Sequence, residues 1–464
     1  MSESRNRRGL YAAGEDDATR RAALTGGEVP VAVHGLGKMG LPLAAVYADV
    51  TGNVTGVDPD EAVVAAVERG DAHVTGEPGL DDLVGSVVAD GSLSATSDSV
   101  AAARDASVHV VIVPTLVDDA GDPDLSIVET VTRNVARGLD PGDLVVYEST
   151  LPPTTCRETL VPLLKTESGL DDGTFGVAVC PERTSSGRAL EDIRRSHPKI
   201  VGGVDEESTR AAALVYDEIT ENDVVAVSDA TTAEAVKVFE GVYRDVNIAL
   251  ANELGRHADP LGIDVLEAID AANTQPYCDL HDPGAGVGGH CIPYYPRFLI
   301  GRFDADTSLM ETAREVNDAM PGYTADLALD GLAEEGVPAS GAAVLVLGAT
   351  YRPGVDEIRK TPALPIVEHL TDAGASVTVA DPILSERAPF RAAGASVVDG
   401  VDDRTETYDA VVLVTPQEAF ADLDVRGLAP PSGDRRLVVV DGRGALTALR
   451  DADATNYLGV GLDD

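Results

Sequence analysis

Tryptophan is absent from the 464 residues, and phenylalanine occurs only six times. The cores must therefore be built from valine, leucine, isoleucine and alanine. The 44% share of hydrophobic residues is enough for that. Basic residues are scarce: 35 lysines and arginines stand against 79 acids, a formal charge of −44, and lysine is rarer than arginine. No basic block offsets the acid. That excludes the Lys/Arg patches by which proteins hold nucleic acid or anionic membrane surfaces. Four cysteines, at 156, 180, 278 and 291, have a spacing that fits neither a disulfide framework nor a zinc site, so no metal is expected. No stretch approaches the roughly 18 consecutive apolar residues of a membrane span. Residues 1–28 are polar and lack an apolar run of signal length. The expectation is a cytoplasmic protein that opens on a flexible polar extension, 1–28.

The acid is spread along the whole chain rather than gathered in a tail. Such a surface stays hydrated at high salt, and salt screens its self-repulsion. A halophilic setting follows. A disordered acidic chain is the alternative, opposed by the apolar content and by the periodic strands below. The length calls for two or three domains.

Val29 to His34 reads as a buried strand, and Gly35-Leu-Gly37-Lys38-Met39-Gly40 follows it. A helical run, Leu41 to Ala48, and a second strand, Asn53 to Val57, come next, and that strand ends in Asp58. A glycine triplet alone is weak, but between a strand and a helix, with an acid 18 residues past the last glycine, it predicts a dinucleotide site. Gly35 permits the tight turn, Gly37 lets a pyrophosphate approach the backbone, and Gly40 packs helix on strand. The helix start offers free N–H groups to phosphate. Asp58 can accept from a ribose diol and would repel a 2′-phosphate, which favours NAD over NADP.

Further strands end in polar residues: Val108–Val113 before Pro114-Thr115, and Leu144–Tyr147 before Glu148-Ser149-Thr150. Ligands bind at the carboxyl ends of such strands, so Thr115, Glu148 and Thr150 are candidates to line the cofactor cleft. Each can equally be a polar residue that satisfies a strand end. Val177–Val179 leads to Glu182, a carboxylate able to act on water or a proton, or else to pair with Arg183. Thr231 to His257 reads as one long helix carrying Lys237, Gly241 and Arg244 on one face. The Lys237 ammonium can steady an oxyanion, or snorkel to solvent. Strands at 342–347, 376–380, 410–414 and 437–440, separated by helical stretches, predict a second doubly wound sheet without a glycine fingerprint.

Gly286-Val-Gly288-Gly289-His290-Cys291-Ile-Pro293 holds one of the four cysteines in a flexible, glycine-crowded stretch. A thiolate there is a candidate nucleophile. The alternative is a buried structural cysteine.

These pieces resemble the UDP-glucose/GDP-mannose dehydrogenase family. They are GLGKMGLPLA, VPTL, ESTLPPTT, CPERT, AEAVKVFE with YRDVNIALANEL, GVGGHCIP, LGATYRPGVDEIR and VVVDGR, in family order from Gly35 to Arg443. The resemblance implies an α/β fold of two Rossmann-like doubly wound parallel sheets joined by a long central helical segment. It implies an NAD-binding domain at 29–208, a central helical dimerisation domain with the cysteine loop at 209–330, and a UDP-sugar-binding domain at 331–464. It implies NAD-dependent, four-electron oxidation of C6 of a UDP-hexose to the uronate by a homodimer. Polysaccharide biosynthesis is the expected use. His290 and Ile292-Pro293 look like the branch acting on UDP-N-acetylhexosamines, with UDP-N-acetyl-D-mannosamine the first choice. UDP-N-acetylglucosamine, UDP-glucose and a non-catalytic nucleotide-sugar-binding protein are the alternatives.

By the same resemblance Cys291 is the nucleophile, Lys237 holds the oxyanions, and Glu182 with Thr150 handles the hydrolytic water. Gly35, Gly37, Lys38, Met39, Gly40, Asp58, Thr115, Glu148 and Arg359 bind the cofactor. Arg244, Asn247, Gly288, Gly289 and Arg352 bind the sugar nucleotide. Three positions depart from the family pattern. Gly241 stands where Asn is usual, Tyr295 where Asp is usual, and Gln275-Pro276-Tyr277 where an Arg is common. A tyrosine hydroxyl, with an ordinary pKa roughly six units above an aspartate, cannot replace that base.

With a charge of −44 the fold weakens as salt is removed. The melting temperature is expected to climb from millimolar to molar KCl; an unchanged value would sink the halophilic reading.

Overall fold

The computed structural model describes residues 8–118, 121–401, 406–430, 435–450 and 452–462. The chain divides into two compact units. One comprises Met1–Glu240 with Arg297–Leu299, the other Gly241–Pro296 with Ile300–Asp464.

In the first unit the strands are β1 (Val31–His34), β2 (Val54–Val57), β3 (Leu93–Thr96), β4 (Val108–Val111), β5 (Leu116–Val117), β6 (Pro123–Asp124), β7 (Leu144–Tyr147), β8 (Gly176–Val179), β9 (Lys199–Gly203) and β10 (Val224–Ala226). Eight of these make one sheet in the order β10-β9-β8-β7-β4-β1-β2-β3, and β5 pairs antiparallel with β6. Every pairing in the large sheet is parallel except β8 with β9. The short apolar runs explain why. β1, β4, β7 and β8 are buried at every position, as strands covered by helices on both faces must be. The sheet order turns at β1, whose neighbours are β2 and β4, so the glycine turn after β1 lies at the switch point where α/β sheets take ligands.

In the second unit β11 (Ala343–Leu347), β12 (Ser376–Ala380), β13 (Ser396–Val398), β14 (Ala410–Leu413), β15 (Leu437–Asp441) and β16 (Thr455–Gly459) form an all-parallel sheet in the order β13-β12-β11-β14-β15-β16. The long helix Ser308–Glu334 packs across it. Gly331 makes the close approach possible, since a Cβ there would meet Val438 and Leu458 at 2.8 Å. The same unit buries an ion pair: Arg314 Nη1 lies 2.5 Å from Asp245 Oδ1, and Asn317 Nδ2 donates to the same oxygen at 2.8 Å.

The helix Ala230–Gly255 runs unbroken for 26 residues from the range of one unit into the other. Two parallel-sheet, Rossmann-like halves joined by a long helix are thus present as the sequence predicts. Two details differ. The first sheet continues past residue 208 through β10, because Val224–Ala226 pairs with β9 while Glu206–Ile219 covers the sheet as a helix. Of the stretch 1–28, residues 8–28 are not simply an extension. Asp16 accepts from Thr19 N to cap the helix Asp17–Thr25, and Leu10, Ala23 and Leu24 enter the core shared with Leu41 and Val46. The polar surface of that helix hides a short apolar stripe, which a search for signal-length runs passes over. Among the described residues no helix is long and apolar enough to cross a membrane.

Candidate active site

The glycine turn is built by close backbone contacts. Gly35 has φ +102°, and a Cβ there would lie 2.4 Å from the Ile112 carbonyl oxygen. A Cβ on Gly40 would lie 1.9 Å from the Gly35 carbonyl oxygen. Around Gly37 nothing stands within 4 Å of the same test atom, so the turn is open to a ligand there. Asp58, at the end of β2, accepts from Leu36 N at 2.9 Å and from Asp60 N at 3.0 Å. Its carboxylate is thereby tied to the turn. Thr115 is buried, and its hydroxyl has no hydrogen-bond partner among the described residues, which suits a group supplied by a ligand. The open glycine, the fixed acid and the unsatisfied hydroxyl fit a dinucleotide. Met39 precedes the helix Gly40–Thr51, and its sulfur accepts from Thr184 Oγ1 at 2.9 Å. Lys38 belongs to the same turn.

Glu148 is turned inward. At 1% exposure its two oxygens face Lys199 Nζ at 2.6 Å and Tyr216 OH at 2.5 Å. The sequence placed Glu148 at the cofactor; here protein donors take both oxygens. Backbone N–H of Glu182 donates to the Glu148 carbonyl at 3.0 Å, so the two acidic segments are stitched together. The Glu182 carboxyl is raised above the ordinary range by burial, opposed by the Lys237 ammonium and by a hydrogen bond from Thr184. Glu182 and Lys237 both belong to the first unit, with the ammonium within electrostatic reach of the carboxyl. Arg183 does not pair with Glu182; its guanidinium meets Glu240 Oε1 at 2.6 Å, on the Lys237 helix.

Glu234 was not anticipated. It is 1% exposed, and its oxygens accept from Thr154 N and Cys156 N, both at 2.7 Å. Thr154 has φ +77°. The carboxylate thus pins the strained turn that follows Thr150, one helical turn from Lys237. Lys199 and Tyr216 were missed as well, because nothing local marks a residue whose partner is 51 or 68 positions away.

In the second unit Cys291 begins a short helix, Cys291–Tyr294, and is exposed. Cys156 and Cys180 are buried, their thiols pushed up chiefly by burial, and Cys278 is half-buried. The reading of Cys291 as a buried structural thiol is thereby excluded. Gly289 has φ +87°, and its N–H donates to the Arg359 carbonyl at 2.9 Å. A Cβ on Gly288 or Gly289 would come within 2.7 or 2.8 Å of the Tyr351 side chain. Arg352 and Arg359 are exposed, and Arg359 Nε stands 3.5 Å from Glu357. Arg244 is exposed on the central helix, and Asn247 Nδ2 donates to the Tyr243 carbonyl at 2.7 Å.

Two doubly wound halves, the first with a dinucleotide turn, define a dinucleotide-binding class of protein. Comparison makes it specific. Residues 29–220 match the NAD binding domain, 231–319 the central domain, and 345–448 the UDP binding domain of the UDP-glucose/GDP-mannose dehydrogenase family. The chain belongs to that family and is an NAD-dependent nucleotide-sugar dehydrogenase. It is 36% identical over 414 residues to a UDP-N-acetyl-D-mannosamine dehydrogenase of Pyrococcus horikoshii, covering 89% of this chain and 95% of that one. A solved structure of the Pyrococcus horikoshii enzyme superposes with a TM-score of 0.85 over 93% of this chain and 99% of that chain, at 34% identity. It is 34% identical over 430 residues to an NDP-N-acetyl-D-galactosaminuronic acid dehydrogenase of Ralstonia nicotianae, covering 91% and 97%.

The geometry separates two glycines by experiment. Gly37→Val is expected to lower NAD affinity at least roughly tenfold with the melting temperature unchanged, because it fills only ligand space. Gly40→Ala is expected to lower both, because its Cβ strikes backbone. Titration by NADH fluorescence with parallel melts reads the difference.

Proposed function

We propose that the enzyme oxidises C6 of a UDP-N-acetylhexosamine, UDP-N-acetyl-D-mannosamine first, to the uronate in two steps. The observation that carries this reading is the exposed Cys291, which a dehydrogenase that stops at the aldehyde would not need. The relatives named above support the acetylated sugar. UDP-glucose is the alternative.

NAD, when bound, would supply the hydride acceptor, one molecule for each of the two oxidations. Gly35, Gly37, Lys38, Met39 and Gly40 would hold its pyrophosphate and Asp58 its ribose diol, and Thr115 and Arg359 would be further cofactor contacts. In the first oxidation C6 of the sugar gives up a hydride, and its hydroxyl gives up a proton to water or base. The Cys291 thiolate then adds to the aldehyde carbon: the C–S bond forms as the C=O π bond opens, and the resulting oxyanion takes up a proton to give a thiohemiacetal. A second hydride leaves that carbon and the proton leaves its hydroxyl oxygen, giving a thioester. Water adds to the thioester with its proton taken by Glu182, the C–S bond breaks, and the acid departs. Lys237 balances the negative oxygen in each addition. A carboxyl raised by burial suits Glu182 to proton transfer nearer neutral pH than an ordinary glutamate. Thr150 orients the water. Arg244, Asn247, Gly288, Gly289 and Arg352 hold the sugar nucleotide.

The test is the NADH formed per sugar consumed, in molar KCl, with UDP-N-acetyl-D-mannosamine, UDP-N-acetylglucosamine and UDP-glucose. Two NADH per sugar, lost in Cys291→Ala, is the expected result. One NADH, or full turnover by Cys291→Ala, would show the thiol to be dispensable. No NADH with any of the three would remove all three sugars as substrates.

We further propose a homodimer working in a salt-rich cytoplasm. Phe239, Tyr243 and Leu250 are exposed at 59%, 50% and 45% on the central helix. Their spacing of four and seven residues puts them on one stripe, which a second copy would cover. Phe239→Glu with Leu250→Glu is expected to convert the dimer to monomer in light scattering; an unchanged mass for both proteins would remove that face as the interface.

A further inference from the structure

Two positions that lie one turn from proposed catalytic residues touch each other. Gly241 follows Lys237 by four residues on the helix Ala230–Gly255 and is buried. Tyr295 follows Cys291 by four residues and is 4% exposed, opening the short 3-10 helix Tyr295–Phe298. A Cβ added to Gly241 would lie 2.2 Å from Tyr295 Cδ2, 2.8 Å from its Cβ and 2.9 Å from its Cγ. No real side chain sits that close, so the ring rests on bare helix backbone. On the other side of the thiol the same arrangement recurs. A Cβ on Gly288 would come within 2.7 Å of Tyr351 Cβ, and one on Gly289 within 2.8 Å of the Tyr351 ring. Cys291 is therefore the exposed residue in a segment whose two ends are each seated by a tyrosine on glycine.

We propose that Tyr295 is a positioning residue: with its ring packed on Gly241, it fixes the backbone that presents the Cys291 thiol, and Gly241 and Tyr295 work as one coupled pair. The pair acts by shape. A phenol whose ordinary pKa is near 10 does not serve as a base near neutrality. The van der Waals contact of ring on backbone needs no charge, and its loss is felt because packed segments shift rather than collapse cleanly. The sizes of the two residues are matched: a side chain at 241 displaces the ring, and a small residue at 295 leaves space beneath the cysteine helix. The catalytic consequence rests on the reading of Cys291 as the nucleophile, but the packing consequence does not.

The test measures the second-order rate at which iodoacetamide alkylates Cys291, across pH, in a Cys278→Ser background, since Cys156 and Cys180 are buried. The variants are Gly241→Ala, Tyr295→Phe, Tyr295→Ala and the double Gly241→Ala/Tyr295→Ala, each with a melting curve. Gly241→Ala and Tyr295→Ala are expected to change the rate by roughly tenfold, an effect of misplacement by about an ångström. Tyr295→Phe, which keeps the ring, stays within about twofold of the parent. The double variant falls short of the product of the single effects, as contacting residues do. In turnover, Gly241→Ala and Tyr295→Ala lower kcat with KM within about twofold, and Tyr295→Phe does not. Tyr295→Phe as damaging as Tyr295→Ala would show that the hydroxyl, not the ring, matters and would overturn the proposal. So would strict additivity, or alkylation at the parent rate in Tyr295→Ala. Should Gly241→Ala fail to fold, the two Tyr295 variants still decide it. Full turnover by Cys291→Ala would sink the nucleophile reading alone, leaving the alkylation result to judge the pair.

Discussion

Much of this protein depends on backbone meeting backbone or ring where no Cβ intervenes. At Gly40 the nearest carbonyl oxygen lies where a methyl would be, and the helix reaches its strand only for that reason. The nucleotide turn, the approach of the Ser308–Glu334 helix to the second sheet at Gly331, and the seats of Tyr351 and Tyr295 use the same device. In a chain without tryptophan and with few phenylalanines, close approach stands in for bulk. The cost is conformational entropy, since glycine loses more freedom on folding than any other residue. Parallel sheets whose strands are wholly buried offset it with apolar area.

Charge is handled in two ways. The surplus acid lies largely outside, while buried charges such as Glu148 and Asp245 are paired with a cation and a neutral donor. Glu148 is matched by Lys199 and Tyr216, and Asp245 by Arg314 and Asn317. Removing one member of such a group strands the other, at about 3–5 kcal/mol, whereas a surface pair contributes far less. The interior networks therefore locate elements, and the surface sets the relation to solvent. His34 shows the limit of burial without a partner charge: desolvation, and then the field of His109, lower its pKa to about 3, so the ring is neutral.

Most of the fold was legible because its strands are short apolar runs closed by polar residues or glycine, and these survive without any knowledge of partners. β1, β4, β7 and β8 could be seen that way. β3, β9, β13 and β16 could not, because Leu93–Thr96 and Thr455–Gly459 mix polar and apolar residues and become strands only through their neighbours. The glycine turn was readable, since each glycine has a local steric duty. The orientation of Glu148 was not, as it is decided by Lys199 and Tyr216 from far along the chain. Nor was the function of Glu234, whose carboxylate serves backbone amides 78 and 80 positions earlier. Gly241 and Tyr295 looked like two unrelated departures from the family pattern; only the contact makes them one.

The segment from Leu10 to Thr25 lies outside the stretch that matches the family's NAD binding domain, which starts at 29. Yet Leu10 and Leu24 share a core with Leu41 and Val46 of the helix behind the nucleotide turn. Tyr11 OH reaches Asp205 at 2.9 Å, and Arg20 donates to the Leu10 carbonyl at 3.2 Å. The pyrophosphate helix thus has a rear buttress that the shared domain does not encode. The packing behind the nucleotide turn is thus set in part by residues that stand outside the matched domain and outside the turn itself.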